Sequence, residues 1–554
     1  MEKPKKYRSL TRKPKLPQIR NFKTPSEKSF QASRFSFLKS DMMTKEHNQS
    51  ALTGTEKPPA VNPEMDSKFL NFRPLLASKR PPPPPNKGYF FKFLNNEVKL
   101  IKWTFEDNGF REGKKDWMIG WANSALRSNV YQSLTRWQKV NHFPRSHEIT
   151  KKDSLFKNFS RMQSLHGKKH YDFVPETYVL PGDLNELAEI IEKDPSQLWI
   201  VKPSGSSQGK GIFLTNKVQE IPPGQPMVAS RYIMNPLLIN QLKFDMRIYV
   251  AVTSVDPLRI YIYEEGLVRF ATSSYDLNNP ENRFGHLTNY SLNKFAPNFQ
   301  DLQEDGKGYK WTISALKEFL LKYKVDWDKI WNSIKDIVIK TMISIESTMT
   351  AGVNMFVPYR NNCFELLGFD ILLDDSLRAW LIEVNLSPSL NIDTSIDFKV
   401  KCPMLSELLT IIGVPCMKYQ KKRKEVPGSR PAWSNSFQPL NQELTKNEVR
   451  VIQEAMREIS RSEKFECIFP SRNSYTYKQF FDTERPLNAL MMAHFSSGSK
   501  REMHLNQLHS YEAKIEKMRN KHHRLKKEEM RYNLTPSRFL GTKSNVKELA
   551  KLIN

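Results

Sequence analysis

The sequence predicts an α/β fold lying between two basic flanking regions, and three observations carry that expectation. Strand-like and helix-like hydrophobic periodicities alternate from about residue 88 to residue 416. Two apolar runs, residues 369–373 and 379–385, are separated by the turn-forming Asp374-Asp375-Ser376, the pattern of two strands meeting at a tight turn. One segment, residues 328–346, holds a helical period throughout. With 554 residues the chain can hold two or three domains with cores of their own.

Residues 1–88 are rich in Lys, Arg, Ser and Pro, lack sustained periodicity, and close on Arg80 followed by prolines 81–85. That composition predicts a disordered basic arm ended by a stiff polyproline II spacer. Folded sequence is expected to start near Gly88, with Tyr89-Phe90-Phe91 and Ile101-Lys102-Trp103. Residues 199–202, 248–252, 259–263 and 267–270 read as strands. The 328–346 helix places Ile330, Trp331, Ile334, Ile337, Val338, Thr341, Met342 and Ile345 on one stripe, which is core and carries no chemistry. After Pro415 the composition turns basic at residues 418–424. A helical segment from Thr445 to Phe465 and a Lys/Arg/Glu-rich helix around 511–531 follow, and there is no internal repeat.

The net charge of +27 predicts an acidic partner: nucleic acid, an anionic membrane or an acidic protein. Four cysteines (Cys363, Cys402, Cys416, Cys467) without a CxxC spacing indicate neither a disulfide framework nor a zinc site, and a reduced intracellular compartment is expected. No secretory signal is seen at the N-terminus and no apolar run reaches membrane length, so a soluble chain is expected. Nothing resembles an RNP1, KH or zinc-finger pattern, which counts against nucleic acid.

Chemistry concentrates in five places. Asp370 and the pair Glu383 and Asn385 fall on the two adjoining strands, and antiparallel pairing would set them side by side. Two carboxylates and an amide oxygen make an all-oxygen cluster of the kind that holds Mg²⁺ against nucleotide phosphates, although acids at a strand end also commonly face solvent. Val201-Lys202-Pro203 runs into Ser204-Gly205-Ser206-Ser207-Gln208-Gly209-Lys210-Gly211, whose small residues let backbone N–H groups approach phosphate. It is neither a P-loop nor a dinucleotide fingerprint, and most such loops are plain turns. Residues 228–233 (Val-Ala-Ser-Arg-Tyr-Ile) could offer backbone to an adenine edge, or be an ordinary buried strand. Lys243, Asp245 and Arg247 alternate onto one strand face, with Arg269 on a neighbouring strand, forming a basic clamp suited to a transferring phosphoryl group. His286-Leu287-Thr288-Asn289-Tyr290-Ser291 is too polar for a core and unlike a simple turn.

The order and spacing of these pieces, with Glu265 to Ala271, Lys310-Trp311, Cys363 to Asp370 and Glu383-Val384-Asn385-Leu386-Ser387-Pro388-Ser389-Leu390, resemble the tubulin tyrosine ligase-like family over about residues 100–416. Asn141-His142-Phe143-Pro144, Arg161-Met162-Gln163 and Phe465 to Pro470 resemble its polyglutamylase branch. The resemblance implies an ATP-grasp-like core with small N-terminal and central α/β domains. The implied division is a 1–88 arm, an 89–180 N-terminal domain, a 181–265 ATP-binding domain, a 266–416 metal and substrate domain, and a basic 417–554 tail. It also implies a ligase that uses ATP and Mg²⁺ to join free glutamate to a glutamate side chain in the acidic tail of tubulin through an acyl phosphate.

Carried over by resemblance, Lys202, Gln208, Gly209, Lys243 and Asp245 contact ATP, with Ser230, Arg231, Tyr232 and Ile233 at adenine and Thr288 and Asn289 near the phosphates. Asp370, Glu383 and Asn385 hold the metal, and no metal ligand is missing. Arg269, Tyr290, Ser291 and Lys310 hold the incoming glutamate, and Arg247 stabilises the acyl phosphate. Arg247, Arg269 and Glu383 are the expected catalytic set. Gln208 matches chain-elongating members whereas Leu386 matches members that start side chains, and initiation is favoured. A glycylase, a ligase for an acidic non-tubulin protein and a non-enzymatic basic microtubule- or nucleic-acid-binding protein are the alternatives. A monomer in the cytoplasm and on the cytoskeleton is expected, with the cilium or basal body as a further setting.

Overall fold

The computed structural model describes residues 68–76, 82–205, 209–297, 299, 304–416, 444–496 and 499–532. The first folded stretch forms a small sheet of β1 (Tyr89–Phe93), β2 (Phe110–Glu112), β3 (Ile119–Trp121) and β4 (Lys139–Val140), in the order β2-β1-β3-β4. Leu100, Ile101 and Phe105 recur at helical spacing and are the buried face of α1 (Lys99–Asp107). Residues 68–76 belong to this body and not to a free arm. Phe72 stacks on Phe110 at 5.5 Å, and the Leu70 amide donates to the Val414 carbonyl at 2.8 Å. Arg111 donates to the Pro84 carbonyl, so the end of the proline run also touches the body. The expected start at Gly88 is therefore too late; residues 69–75 are too short and proline-broken to register a period. Residues 1–67 of the arm lie outside the described residues.

A second sheet follows α2 (Lys152–His166). It comprises β5 (Thr177–Leu180), β6 (Trp199–Pro203), β7 (Phe213–Thr215) and β8 (Met227–Arg231), paired antiparallel in the order β5-β8-β6-β7. Leu187 and Ile191 of α3 (Leu184–Lys193) share its core with Trp199 and Val201.

The largest sheet runs β12-β11-β10-β13-β14. Its members are β10 (Leu242–Val255), β11 (Leu258–Phe270), β12 (Lys310–Thr312), β13 (Glu365–Leu373) and β14 (Ala379–Asn385). β9 (Leu238–Ile239) adds to β10, and β15 (Phe465–Phe469) to β11. Helices cover both faces, so its central strands are buried on each side. α4 (Ile313–Lys322) and α5 (Trp327–Phe356) share one core with Ile248, Val250 and Val252; α6 (Ser395–Ile411) shares another with Tyr249 and Ala251. α5 outruns the expected 328–346 because Met349 and Val353 continue its buried stripe. Residues 259–263 and 267–270, expected as two strands, are one strand whose extra residues bulge between Ile262 and Gly266. The expected division between residues 265 and 266 falls inside it.

The C-terminal region is part of the same body. Thr445 and Glu448 form a capping box on α7 (Lys446–Ser460), and Phe465, expected as that helix's end, instead opens β15. Glu458 accepts from Arg259 Nε at 3.0 Å and from the Tyr261 hydroxyl at 2.9 Å, all three buried. α8 (Pro486–Phe495) is tied to α5 where Arg485 and Asn488 donate to Glu346 at 2.8 and 3.1 Å. The basic 511–531 segment lies within α9 (Ser499–Tyr532), whereas residues 418–424 lie outside the described residues. Among the described residues no helix is long and apolar enough to cross a membrane.

Candidate active site

On β10 the odd-numbered residues share a face, and that face changes character along the strand. Tyr249 and Ala251 are apolar core, whereas Lys243, Asp245 and Arg247 are charged and buried. Strand register extends the charge across the sheet. Lys310 pairs with Arg269 and Arg269 with Asp245, while Arg247 pairs with Asp370 and Asp370 with Glu383. A row of ionisable residues therefore crosses five strands, with opposite charges paired at its centre (Arg269 with Asp245, Arg247 with Asp370) and like charges at its two ends (Lys310 with Arg269, Asp370 with Glu383).

The geometry of that row is tight. Arg247 donates to both oxygens of Asp370 at 2.5 and 3.0 Å, and Arg269 Nη2 lies 2.8 Å from Asp370 Oδ2. Arg269 also makes a two-point pair with Asp245, with 2.8 Å from Nε. Burial alone would raise the Asp370 pKa, but the two guanidinium groups overcome it and hold the carboxyl well below the ordinary range. Gly368 makes room for this pairing: a Cβ there would sit 2.8 Å from Pro388 Cβ and 2.9 Å from Arg247 Cδ.

Asp370, Glu383 and Asn385 come together as expected. Asn385 Nδ2 lies 3.2 Å from Glu383 Oε1 and 3.5 Å from Asp370 Oδ2. Glu383 is half-exposed, and Lys152 approaches it at 3.8 Å. Among the described residues no three His, Cys, Asp or Glu side chains form a metal-binding group, so a cation here depends on the Asn385 amide as third ligand. The donor set fits a hard divalent cation provided the Asn385 amide turns its oxygen, in place of the Nδ2 that faces both carboxylates, toward the ion. Three of Asp370's roughly four acceptor sites are taken by guanidinium groups, which leaves Glu383 as the most open ligand.

Asp370 and Glu383 line a cleft between the second and largest sheets, and Asn385 lies beside it. Lys202, Gly209, Ser230, Arg231, Tyr232, Ile233, Lys243, Asp245, Thr288, Asn289, Asp370 and Glu383 all line it. Gly209, at φ +77°, brings the loop backbone against Asn289, whose Oδ1 would lie 3.1 Å from a Cβ there. Arg283 pins the loop by donating to the Gly209 carbonyl at 2.6 Å. Gln208 lies outside the described residues. The Arg231 and Tyr232 amides already donate to the Glu176 and Leu198 carbonyls at 2.8 and 2.9 Å. A base edge would therefore have to meet the carbonyl oxygens of this segment or Ile233.

Lys243 is the most perturbed cation of the cleft. Its ammonium donates to the Tyr232 hydroxyl at 3.0 Å and the His286 carbonyl at 2.9 Å. Burial, aided by repulsion from Lys202 and opposed by Asp245, pushes its pKa down to about 7. His286 is only 2% exposed, with Nδ1 at 2.9 Å from the Tyr232 hydroxyl and Nε2 at 3.0 Å from the Asn279 carbonyl. The expectation that this segment is too polar for a core fails at His286, because its ring nitrogens find partners inside the protein.

Arg247, Arg269, Asn385, Tyr290, Ser291 and Lys310 stand behind or beside the cleft rather than on its wall. Lys310 is buried against Asp397 at 2.8 Å, with its ammonium 3.7 Å from the Tyr290 ring centre. Sequence reasoning missed Lys152 and the apolar walls Phe156, Ile200, Ile212, Leu372 and Ile382. Leu372 shares a strand face with Asp370, so alternation could have found it. Ile382 could not be found that way: the register shift between Asp370 and Ile371 makes it the extra residue of a bulge, which aims it into the cleft beside Glu383.

Comparison with known proteins identifies the family of the chain that carries this arrangement. Residues 130–422 match the model of the tubulin-tyrosine ligase family. Tubulin polyglutamylase TTLL5 of Mus musculus is 42% identical over 359 residues, covering 63% of this chain and 27% of that protein. Tubulin monoglutamylase TTLL4 of Mus musculus is 38% identical, covering 71% of this chain and 36% of that protein. For tubulin polyglutamylase TTLL6 of Homo sapiens the identity is 37%, with 70% and 44% covered. The chain thus spans between about a quarter and a half of the length of these relatives. The matched region contains every residue of the cleft and of the charged row beneath it, and the chain belongs to the tubulin-tyrosine ligase family.

Proposed function

We propose that this chain is an ATP- and Mg²⁺-dependent ligase that adds glutamate to glutamate side chains in the acidic C-terminal tail of tubulin. One observation carries the reading: Asp370, Glu383 and Asn385 converge at the end of the cleft that Lys202 and Lys243 line. Two carboxylates that would hold a divalent cation, facing two lysines that would hold phosphate oxygens, suit the binding of a nucleotide triphosphate with its metal. The polyglutamylase and monoglutamylase names of the relatives support glutamate as the added residue.

A carboxylate is a poor electrophile, and activation requires transfer of the γ-phosphoryl group to its oxygen. The resulting acyl phosphate is attacked by the amino group of free glutamate, forming the isopeptide bond as phosphate leaves. A magnesium ion on Asp370, Glu383 and Asn385 would neutralise phosphate charge during that transfer. Lys202 and Lys243 would hold and orient the phosphates, with Gly209, Thr288 and Asn289 lining the same cleft beside them. Arg247 and Arg269, fixed by Asp370 and Asp245, lie behind the cleft as pre-oriented donors that need no rearrangement as charge develops.

The incoming glutamate is assigned to the Tyr290, Ser291 and Lys310 side. Arg269 contributes less there than its charge suggests, because Asp245 and Asp370 already occupy it. Leu386, directly after the cluster, offers no donor to a second anionic chain, and initiation of branches is favoured over elongation. The exposed Lys514, Lys517, Lys521 and Arg524 of α9 supply an electrostatic contact with the microtubule. The test is incubation of the purified chain with ATP, Mg²⁺, tubulin and each labelled amino acid in turn. Mass spectrometry should find glutamate on tubulin tails; incorporation of glycine or tyrosine alone would overturn the assignment.

A further inference from the structure

The cation expected to hold the incoming amino acid is already neutralised by a neighbour, which poses a problem of charge. Lys310 Nζ lies 2.8 Å from Asp397 Oδ2 and 3.5 Å from Thr394 Oγ1, both inside the protein. An ion pair of that geometry has no net charge with which to attract an anion. The deficit is made up from the other side of the carboxylate. Lys401 Nζ lies 2.8 Å from Asp397 Oδ1, donates to the Asn391 carbonyl at 2.6 Å, and is only 3% exposed. Two ammonium groups around one carboxylate leave the buried cluster with one net positive charge, which the exposed, solvent-screened Asp393 carboxylate offsets only in part.

The cluster is built and not incidental. Asp397 is also the third residue of the capping box of α6: it accepts from the Thr394 amide at 3.1 Å and the Thr394 hydroxyl at 2.9 Å. Its carboxylate is thus fixed by the helix start, and both lysines are fixed by it. Burial draws both ammonium groups below the ordinary lysine range, and Asp397 opposes that effect for each. Of the two, Lys310 faces Tyr290 and the cleft side, whereas Lys401 is enclosed.

We propose that Lys401 is a specificity-determining positioning residue, restoring to the Lys310–Asp397 pair the positive charge that selects an acidic amino acid over a neutral one. This rests on the reading of the chain as a glutamate ligase with Lys310 beside the incoming amino acid. A charge a few ångströms away in a protein interior is worth roughly one to two factors of ten in binding.

The experiment compares the full chain with Lys401→Met, Lys401→Arg, Asp397→Asn and the double variant Asp397→Asn/Lys401→Met, reading KM for glutamate, kcat, glycine incorporation and the ATP-dependent shift in melting. Lys401→Met should raise KM for glutamate about tenfold or more with kcat changed far less, and should narrow the preference over glycine. Lys401→Arg should rescue it. The double variant leaves Lys310 unpaired with its charge restored, so its KM should fall back toward that of the wild type. A purely structural role predicts the reverse, the double variant being worse than either single one. An unchanged KM in Lys401→Met, or a double variant additive in its damage, overturns the inference. A wild-type chain that ligates no glutamate while still binding ATP overturns the underlying reading instead.

Discussion

Lys243 makes a prediction in pH. Because its pKa is pushed down to about 7, burial in the cleft holds this lysine largely neutral at pH 8 and protonated at pH 6. Nucleotide phosphates favour the charged form, so binding ATP should take up a proton at pH 8 and none at pH 6. Calorimetry in buffers of different ionisation enthalpy reads this directly, and the uptake should vanish in Lys243→Met. The sign for folding is opposite to that of a lysine gaining a partner. The unfolded chain binds the extra proton between about pH 7 and the ordinary lysine range, so this group's contribution to stability rises with pH across that window. Leu386→His supplies a second test at this scale: it adds a donor beside the cluster and should shift products from single branches towards longer chains. Identical branch-length distributions in mass spectra of the modified tubulin would contradict that role.

Most of the site was legible because its residues carry chemistry in short, spaced motifs. Asp370, Glu383 and Asn385 meet because alternation and a tight turn dictate it. Lys152 was not legible, since a lysine at the start of an amphipathic helix resembles any solvated lysine. That Arg247, Arg269 and Lys310 are each occupied by a carboxylate was hidden as well, because pairing across strands depends on register between segments up to 123 residues apart.

At the scale of elements, the C-terminal region decides whether the catalytic core stands alone. Its composition suggested a tail, because basic residues mask the few apolar positions that dock. In the structure β15 completes one edge of the largest sheet, and Glu458 of α7 accepts from Arg259, Thr253 and Tyr261 inside the core. Removing residues 417–554 should therefore leave Arg259 buried without its partner and unfold the chain, abolishing ATP-dependent stabilisation. Glu458→Ala isolates the same contact and should cost about 3–5 kcal/mol, the usual consequence of stripping one partner from a buried ion pair. Denaturant melts of the variant check the value; a loss under about 1 kcal/mol would show that the C-terminal region docks without this network.

For the whole molecule, the net charge of +27 is an argument about partners rather than about fold. The exposed basic residues of α9 lie where they can be changed without touching the core. Replacing Lys514, Lys517, Lys521 and Arg524 by glutamine should leave melting and ATP binding unchanged. Microtubule affinity should fall and its salt dependence become shallower, since screening acts over about 8 Å at physiological ionic strength. Unchanged affinity in a co-sedimentation series over salt would assign capture to the catalytic core or the N-terminal arm.

The central claim is that the Asp370, Glu383 and Asn385 cluster at the end of the lysine-lined cleft is where ATP-dependent ligation occurs. Glu383→Gln tests it most directly, because it preserves shape while removing the charge of the most open ligand. Turnover of tubulin glutamylation in the presence of Mg²⁺ should fall about a hundredfold or more. The melting temperature without nucleotide should stay close to that of the unmodified chain. A folded Glu383→Gln enzyme that retains most of its turnover would contradict the account.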